Sequence, residues 1–180
     1  LIERNKRRNG PIFGLDEDIY EHHDNPVFEI YNKKFWQKPE NIFLRNIASQ
    51  KLHDFFKNEL SSDEVFDLKK WAAYFAVIDL TANYHGALLK SVKLYYNPLN
   101  GLFEPIPFDG HRLKPNYHKF SKNYDNRILI DIIQENQRNE AGYSWLKKFF
   151  YKDGELNKNF YNLYSNYLNK IASKKYIDNF

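Results

Sequence analysis

The chain of 180 residues contains no cysteine and no methionine. The absence of cysteine excludes disulfide bonds, cysteine-ligated metal sites and thiol catalysis, and it leaves the redox compartment open. The absence of methionine predicts a processed product or an excerpt of a longer protein, because a translated chain starts with methionine. No uninterrupted apolar run of about 18 residues and no signal peptide is recognisable, so the sequence predicts no membrane span.

Aromatic side chains, in contrast, are abundant. They make up 18% of the residues, and hydrophobic residues together make up 42%, which is typical of a globular chain rather than a disordered one. The length fits one domain that covers residues 1–180 and has one sizeable core. The net charge of +4 is mild and would permit a phosphate-rich partner without requiring one.

Apolar residues recur at three- and four-residue steps in several segments, which predicts helices. Pro39 suits the first turn of a helix to about Leu60 with one apolar face. Asp67 is a suitable N-cap for a second helix that reaches about Asn83, and Ser61 with Glu64 is a rival capping box that would start it earlier. Further helices are predicted over residues 1–8, 126–133, 139–151 and 156–176.

The second of these helices is apolar on most sides, so it should lie in the middle of the core. Asp79 interrupts its apolar character. A buried carboxylate must be paired or hydrogen-bonded, and such an Asp79 would anchor the loop after the helix. The alternative is that Asp79 lies on the exposed edge of the helix.

The stretch from His85 to His111 contains two strand-like segments, Val92–Tyr96 and Leu102–Ile106, separated by the turn formers Asn97–Gly101. Pro98 and Gly101 suit a tight turn, so the stretch predicts a β-hairpin. Another short strand is predicted over Val27–Tyr31. The expected fold class is therefore α+β, predominantly helical, with a small β-hairpin.

Asp109 follows the second strand at a sharp corner that contains Pro105, Pro107 and Gly110. These residues leave the corner few ladder hydrogen bonds and one hinge. A lone carboxylate at this place, beside the end of a buried helix, suits a metal or phosphate site. The alternative is an ordinary aspartate in a tight turn.

The central stretch contains a recognisable order of features. A histidine at a helix end is followed by a strand that ends in tyrosine, then by a turn and by the segment EPIPFD (104–109). The pattern resembles the core of the CotH-type (spore-coat protein H) kinases, which are atypical, secreted or envelope-associated relatives of protein kinases. The resemblance covers about the first two thirds of the chain. It implies a protein-kinase-like C-terminal lobe, whose N-terminal nucleotide-binding lobe would precede Leu1, and a secreted or cell-envelope location.

The resemblance also implies roles for individual residues. Asp109 is similar to the metal-binding aspartate that follows the second strand in these kinases. The segment around His85 is similar to their catalytic loop, where an aspartate base and, five residues later, an asparagine metal ligand are expected. Gly86 and Ser91 stand at these two positions, with His85 beside the first. His85 could accept a proton, and Ser91 could give a weaker oxygen ligand.

Arg112 and Lys114 lie close after Asp109 and could neutralise phosphate charge. The predicted function is therefore phosphoryl transfer from ATP, with Mg²⁺ or Mn²⁺, to a protein or small-molecule hydroxyl. The first alternative is a catalytically inactive kinase-like structural or interaction module, which Gly86 and Ser91 favour.

The second alternative is a metal-dependent hydrolase that uses His85, Asp109 and His111. The last two side chains share a face on extended chain. A third ligand would then come from His22, His23 or His118. The basic, aromatic segment 112–122 could contact single-stranded nucleic acid, but an activation-segment-like loop or a solvated loop is favoured. No named nucleic-acid recognition motif is present.

Overall fold

The computed structural model describes residues 8–15, 26–81, 83–108 and 144–178. Helix accounts for 57% of the structure, and the longer strands form a four-stranded antiparallel sheet, so the predicted α+β, predominantly helical class is confirmed. None of the described helices has the length and apolar character needed to cross a membrane. The helices predicted over 1–8 and 126–133 fall on segments that lie almost wholly or wholly outside the described residues.

The described residues form the following helices and strands. The helices are α1 (Lys33–Trp36), α2 (Pro39–Phe56), α3 (Ser62–Val65), α4 (Leu68–Thr81), α5 (Lys147–Phe150), α6 (Lys158–Ile171) and α7 (Lys174–Ile177). The strands are β1 (Ile12–Leu15), β2 (Phe28–Ile30), β3 (Val92–Asn97), β4 (Leu102–Pro107), β5 (Tyr151–Lys152) and β6 (Glu155–Leu156). Short 3-10 turns span Tyr84–Ala87, Leu89–Ser91 and Ser144–Leu146.

The main sheet has the strand order β2-β1-β3-β4, and each neighbouring pair is antiparallel. The predicted hairpin is confirmed as β3 and β4, whose register pairs Val92 with Pro107 and Asn97 with Leu102. Gly101 has φ of 70°, the left-handed conformation that a glycine adopts without steric cost in the turn. The strand predicted over Val27–Tyr31 is observed as β2.

The helix starts follow the predicted caps. Pro39 occupies the first turn of α2, where its missing N–H is not needed. The Asp67 carboxylate accepts a hydrogen bond from the Lys70 amide at 3.3 Å, and α4 begins beside it. The rival capping box is also formed, because Ser61 and Glu64 cap the separate helix α3. Both capping signals are therefore used.

The predicted single apolar face of α2 is correct only for its C-terminal half. Leu52 and Phe55 are buried, whereas Ile42, Phe43 and Ile47 are 36%, 73% and 38% exposed. Periodicity indicates which residues share a helix face, but it does not indicate which turns have a neighbour to pack against. The first turns of α2 therefore present apolar side chains to solvent.

The core is a cluster of aromatic rings around Phe66, which lies between α3 and α4. Its ring centroid is 4.7 Å from that of Phe55, 5.0 Å from that of Phe149 and 5.4 Å from that of Trp71. Most of these pairs are tilted or edge-to-face, the arrangements that aromatic quadrupoles favour. Trp145 completes the cluster from the C-terminal part of the chain.

Helix α6 packs along α4, with Phe160 6.2 Å from Phe75 between ring centroids. It begins two residues later than the helix predicted over 156–176, because Asn157 caps it by accepting from the Phe160 amide, and it ends at Ile171. The helix predicted over 139–151 is observed as the 3-10 turn at Ser144–Leu146 followed by α5, and residues 139–143 lie outside the described ranges.

Asp79 has its partner on α6. It accepts a hydrogen bond from the Tyr164 hydroxyl, so the carboxylate connects two helices. Burial of Tyr164 and the neighbouring Asp79 carboxylate raise the pKa of the tyrosine hydroxyl. The neutral tyrosine is therefore the form that the folded protein favours.

This raised pKa predicts a loss of stability in alkali. Below the unfolded pKa of about 10, Tyr164 is protonated in both states. Above it, the unfolded chain loses a proton that the folded chain keeps, so the free energy of unfolding falls by about 1.4 kcal/mol per pH unit from this residue alone. Between about pH 9 and 11, a range centred on the unfolded pKa, the free energy of unfolding measured with urea should fall by about 1.4 kcal/mol more in the parent than in Tyr164→Phe. Equal slopes in the two proteins would contradict the prediction.

Candidate functional site

The segment after α4 is held in place through its carbonyl groups. The Tyr74 hydroxyl, on α4, donates to the Gly86 carbonyl at 2.6 Å. The Trp145 indole N–H donates to the Ala87 carbonyl at 3.1 Å. Burial raises the pKa of the Tyr74 hydroxyl, which keeps it protonated and able to donate. The first 3-10 turn, Tyr84–Ala87, is thereby fixed to α4 and to the C-terminal part of the chain.

These turns bring together two residues that the sequence singled out. The Ser91 hydroxyl and His85 Nδ1 lie 3.1 Å apart and share a hydrogen bond, whose donor depends on the histidine tautomer. Ser91 is 1% exposed, and His85 is half-buried. The Ser91 amide also donates to the Leu88 carbonyl at 2.9 Å. The position of the serine is therefore determined by its backbone and its side chain.

The end of β4 lies beside the same turns. Because Val92 is paired with Pro107, the last residue of β4 is next to the residue that follows Ser91. The structure describes the chain up to Phe108, one residue before Asp109. The other predicted site residues lie outside the described part of the chain: Asp109, Arg112, Lys114 and His111, as well as His22, His23 and His118.

A metal site is not formed by the described residues alone. Within residues 8–15, 26–81, 83–108 and 144–178, no group of three or more histidine, aspartate and glutamate side chains could hold a metal ion. The predicted Mg²⁺ or Mn²⁺ ligand Asp109 lies beyond these ranges. The metal and the ATP therefore stay predictions.

Two polar residues near the site were not identified from the sequence. The Asn83 side-chain oxygen is buried and has no hydrogen-bond donor in the part of the chain that the structure describes. Lys93, on β3, is only 7% exposed. The sequence did contain a signal for Lys93. It lies between Val92 and Leu94 on a strand, and because side chains alternate between the two faces of a strand, it projects from the face opposite to theirs.

A separate cavity of about 590 Å³ lies between the start of β2 and α2. Apolar side chains from β1, β2 and α2 form much of its wall, and His53 and Gln50 add polar groups. None of the residues predicted for the functional site lines it.

The structure thus brings together the end of α4, the 3-10 turns after it and the hairpin β3–β4. The predicted resemblance to CotH-type kinases rests on residues of this same stretch, from His85 to Asp109, and it stays a prediction. No protein-family model and no curated protein matches the chain.

Proposed function

We propose that the chain is the C-terminal-lobe portion of an ATP-dependent phosphotransferase that resembles CotH-type kinases. The observation that supports this most is the contact between His85 and Ser91 beside the end of β4. Helix, short turns, antiparallel hairpin and aspartate follow one another in the order that the resemblance implies. The substrate would be a hydroxyl group of a protein or of a small molecule.

In this proposal each residue has a distinct role. Asp109 would hold Mg²⁺ or Mn²⁺, because hard cations prefer carboxylate oxygens, and the metal would supply positive charge for the phosphates of ATP. Ser91 supplies a weaker oxygen ligand, directly or through water. His85 accepts the proton of the attacking hydroxyl. Arg112 and Lys114 neutralise phosphate charge.

The second candidate is a catalytically inactive kinase-like module that serves as a structural or interaction component. Gly86 provides no side chain at the position where a catalytic aspartate is expected. The Ser91 hydroxyl is almost fully buried and already bonded to His85. The metal-dependent hydrolase with His85, Asp109 and His111 stays a prediction, because two of its three residues lie outside the described ranges.

Nucleotide-dependent stabilisation of the full-length protein tests the proposal. At about 100 times Kd, ATP with Mg²⁺ or Mn²⁺ adds about 2.7 kcal/mol to the free energy of unfolding, which raises Tm by about 5–10 °C. The rise should disappear in Asp109→Ala. Differential scanning fluorimetry with and without the metal measures both effects.

Asp178→Ala is the matched control, because Asp178 is exposed near the C-terminal end of the described chain. It should keep the full nucleotide-dependent rise in Tm. Stabilisation by Zn²⁺ without nucleotide would favour the hydrolase instead. No response to ATP or to any of the metals would contradict phosphoryl transfer and leave the inactive module.

A further inference from the structure

Lys93 is a cation placed on the side of the sheet that faces away from the core. Its neighbours Val92 and Leu94 both belong to the buried hydrophobic cluster. Because side chains alternate along a strand, Lys93 projects from the opposite face of β3. There it is 7% exposed. A lysine this deeply buried needs partners for its charge.

The partners of the Lys93 ammonium group are few. It donates to the Lys90 carbonyl at 3.4 Å, a long distance for a hydrogen bond. It also lies 4.5 Å from the ring centroid of Phe108 and 5.6 Å from that of Tyr31. Among the residues that the structure describes, no carboxylate forms an ion pair with it. Two of its three N–H donors therefore have no protein acceptor there.

A buried carboxylate on the same face of the sheet has stronger hydrogen bonds than the Lys93 ammonium group. Glu104, which is paired with Tyr95 across the hairpin, is 2% exposed. Its carboxylate accepts from Lys70 at 2.6 Å and from Asn97 at 2.7 Å. The buried anion thus has two short hydrogen bonds to its Oε1 atom, one of them from a lysine, whereas the buried cation has one marginal bond and two aromatic rings.

Gly14 determines where the ammonium group can lie. A Cβ atom at this position would be 2.9 Å from Lys93 Nζ and 3.1 Å from its Cδ, so the lysine side chain crosses β1 directly over the glycine. The rings of Tyr31 and Phe108 on either side are each about half exposed. The ammonium group is therefore covered in part by side chains that themselves reach the surface.

We infer that Lys93, between the rings of Tyr31 and Phe108, forms a binding site for the phosphoryl group of a small phosphorylated ligand. An oxyanion of this class supplies several acceptors to the ammonium group and neutralises its charge, and lysine binds phosphate as a point charge. The rings strengthen the field around the bound anion by excluding water. The site needs no metal, so it does not depend on phosphoryl transfer and would also exist in an inactive module.

Titration with inorganic phosphate, without metal and at constant ionic strength, tests this site. At about five times Kd, phosphate should raise Tm by about 2–4 °C. Lys93→Met keeps the apolar stem and removes the ammonium group, so it should lose the rise. Lys69→Met, at an exposed position on α4, is the matched control and should keep it.

Gly14→Ala provides a second test, because it displaces the ammonium group without removing its charge. Phosphate binding to this variant should be weaker than to the parent, as measured by isothermal titration calorimetry. Equal phosphate-induced stabilisation of the parent and Lys93→Met would overturn the inference, and so would no effect of phosphate on the parent. Loss of ATP binding in Asp109→Ala with phosphate binding intact would separate this site from the proposed metal site.

Discussion

Replacement of Asp109 by alanine is expected to abolish the transfer of phosphate from ATP by the intact protein. In the proposed mechanism this carboxylate would hold the metal ion, which would supply positive charge to neutralise the charge that develops in the transition state. Loss of several kcal/mol of such stabilisation lowers the rate by about 10³-fold or more. The incorporation of labelled phosphate from ATP measures the effect.

The same substitution should change the stability little, because the carboxylate is predicted to face a ligand rather than the core. Urea unfolding of the two proteins should give free energies within about 0.5 kcal/mol of each other. The exposed Asp178→Ala is the control for activity and should transfer phosphate at the parent rate. Activity that is unchanged in Asp109→Ala would remove the phosphotransferase proposal.

Phe66→Ala is expected to lower the free energy of unfolding by about 3–5 kcal/mol. The ring is fully buried and makes aromatic contacts with Phe55, Trp71, Phe103 and Phe149, among others. Removal of the ring costs the transfer free energy of its carbons and leaves a cavity that these bulky, constrained neighbours cannot fill. Urea unfolding followed by tryptophan fluorescence measures the change.

Phe43→Ala is the matched control for this prediction, because it removes the same ring from the exposed half of α2. Phe43 is 73% exposed, so the change in free energy of unfolding should stay within about 0.5 kcal/mol. If the two variants were equally stable, the aromatic cluster around Phe66 would not be the centre of the core.

The features that the sequence predicted well depend on local interactions. The hairpin at residues 92–107 follows from two strand-like segments and from a turn that needs a residue with positive φ, which Gly101 supplies. The helix starts at Pro39 and Asp67 follow from capping, which involves only neighbouring residues. The contact between His85 and Ser91, although not itself predicted, is also local, because only six positions and two tight turns separate the two residues.

The features that the sequence did not predict depend on contacts between distant segments. Asp79 was expected to be hydrogen-bonded if it was buried, but its bond from Tyr164 on α6 was not predicted. The exposed side chains of Ile42 and Phe43 show that a helical period does not identify the neighbour of each turn. Lys93 was missed because only the sheet as a whole, with Gly14 on the adjacent strand, places its ammonium group.

The aromatic cluster also has a consequence for how this protein is made. Phe66, Trp71 and Phe75 leave the ribosome well before Trp145, Phe149 and Phe160, which cover them in the folded chain. At ribosomal speeds the apolar surface of α4 therefore stays uncovered for several seconds in the nascent chain. During this interval the nascent chain should be a substrate for chaperones that bind exposed aromatic segments. Its folding should be completed only after α6 has been synthesised.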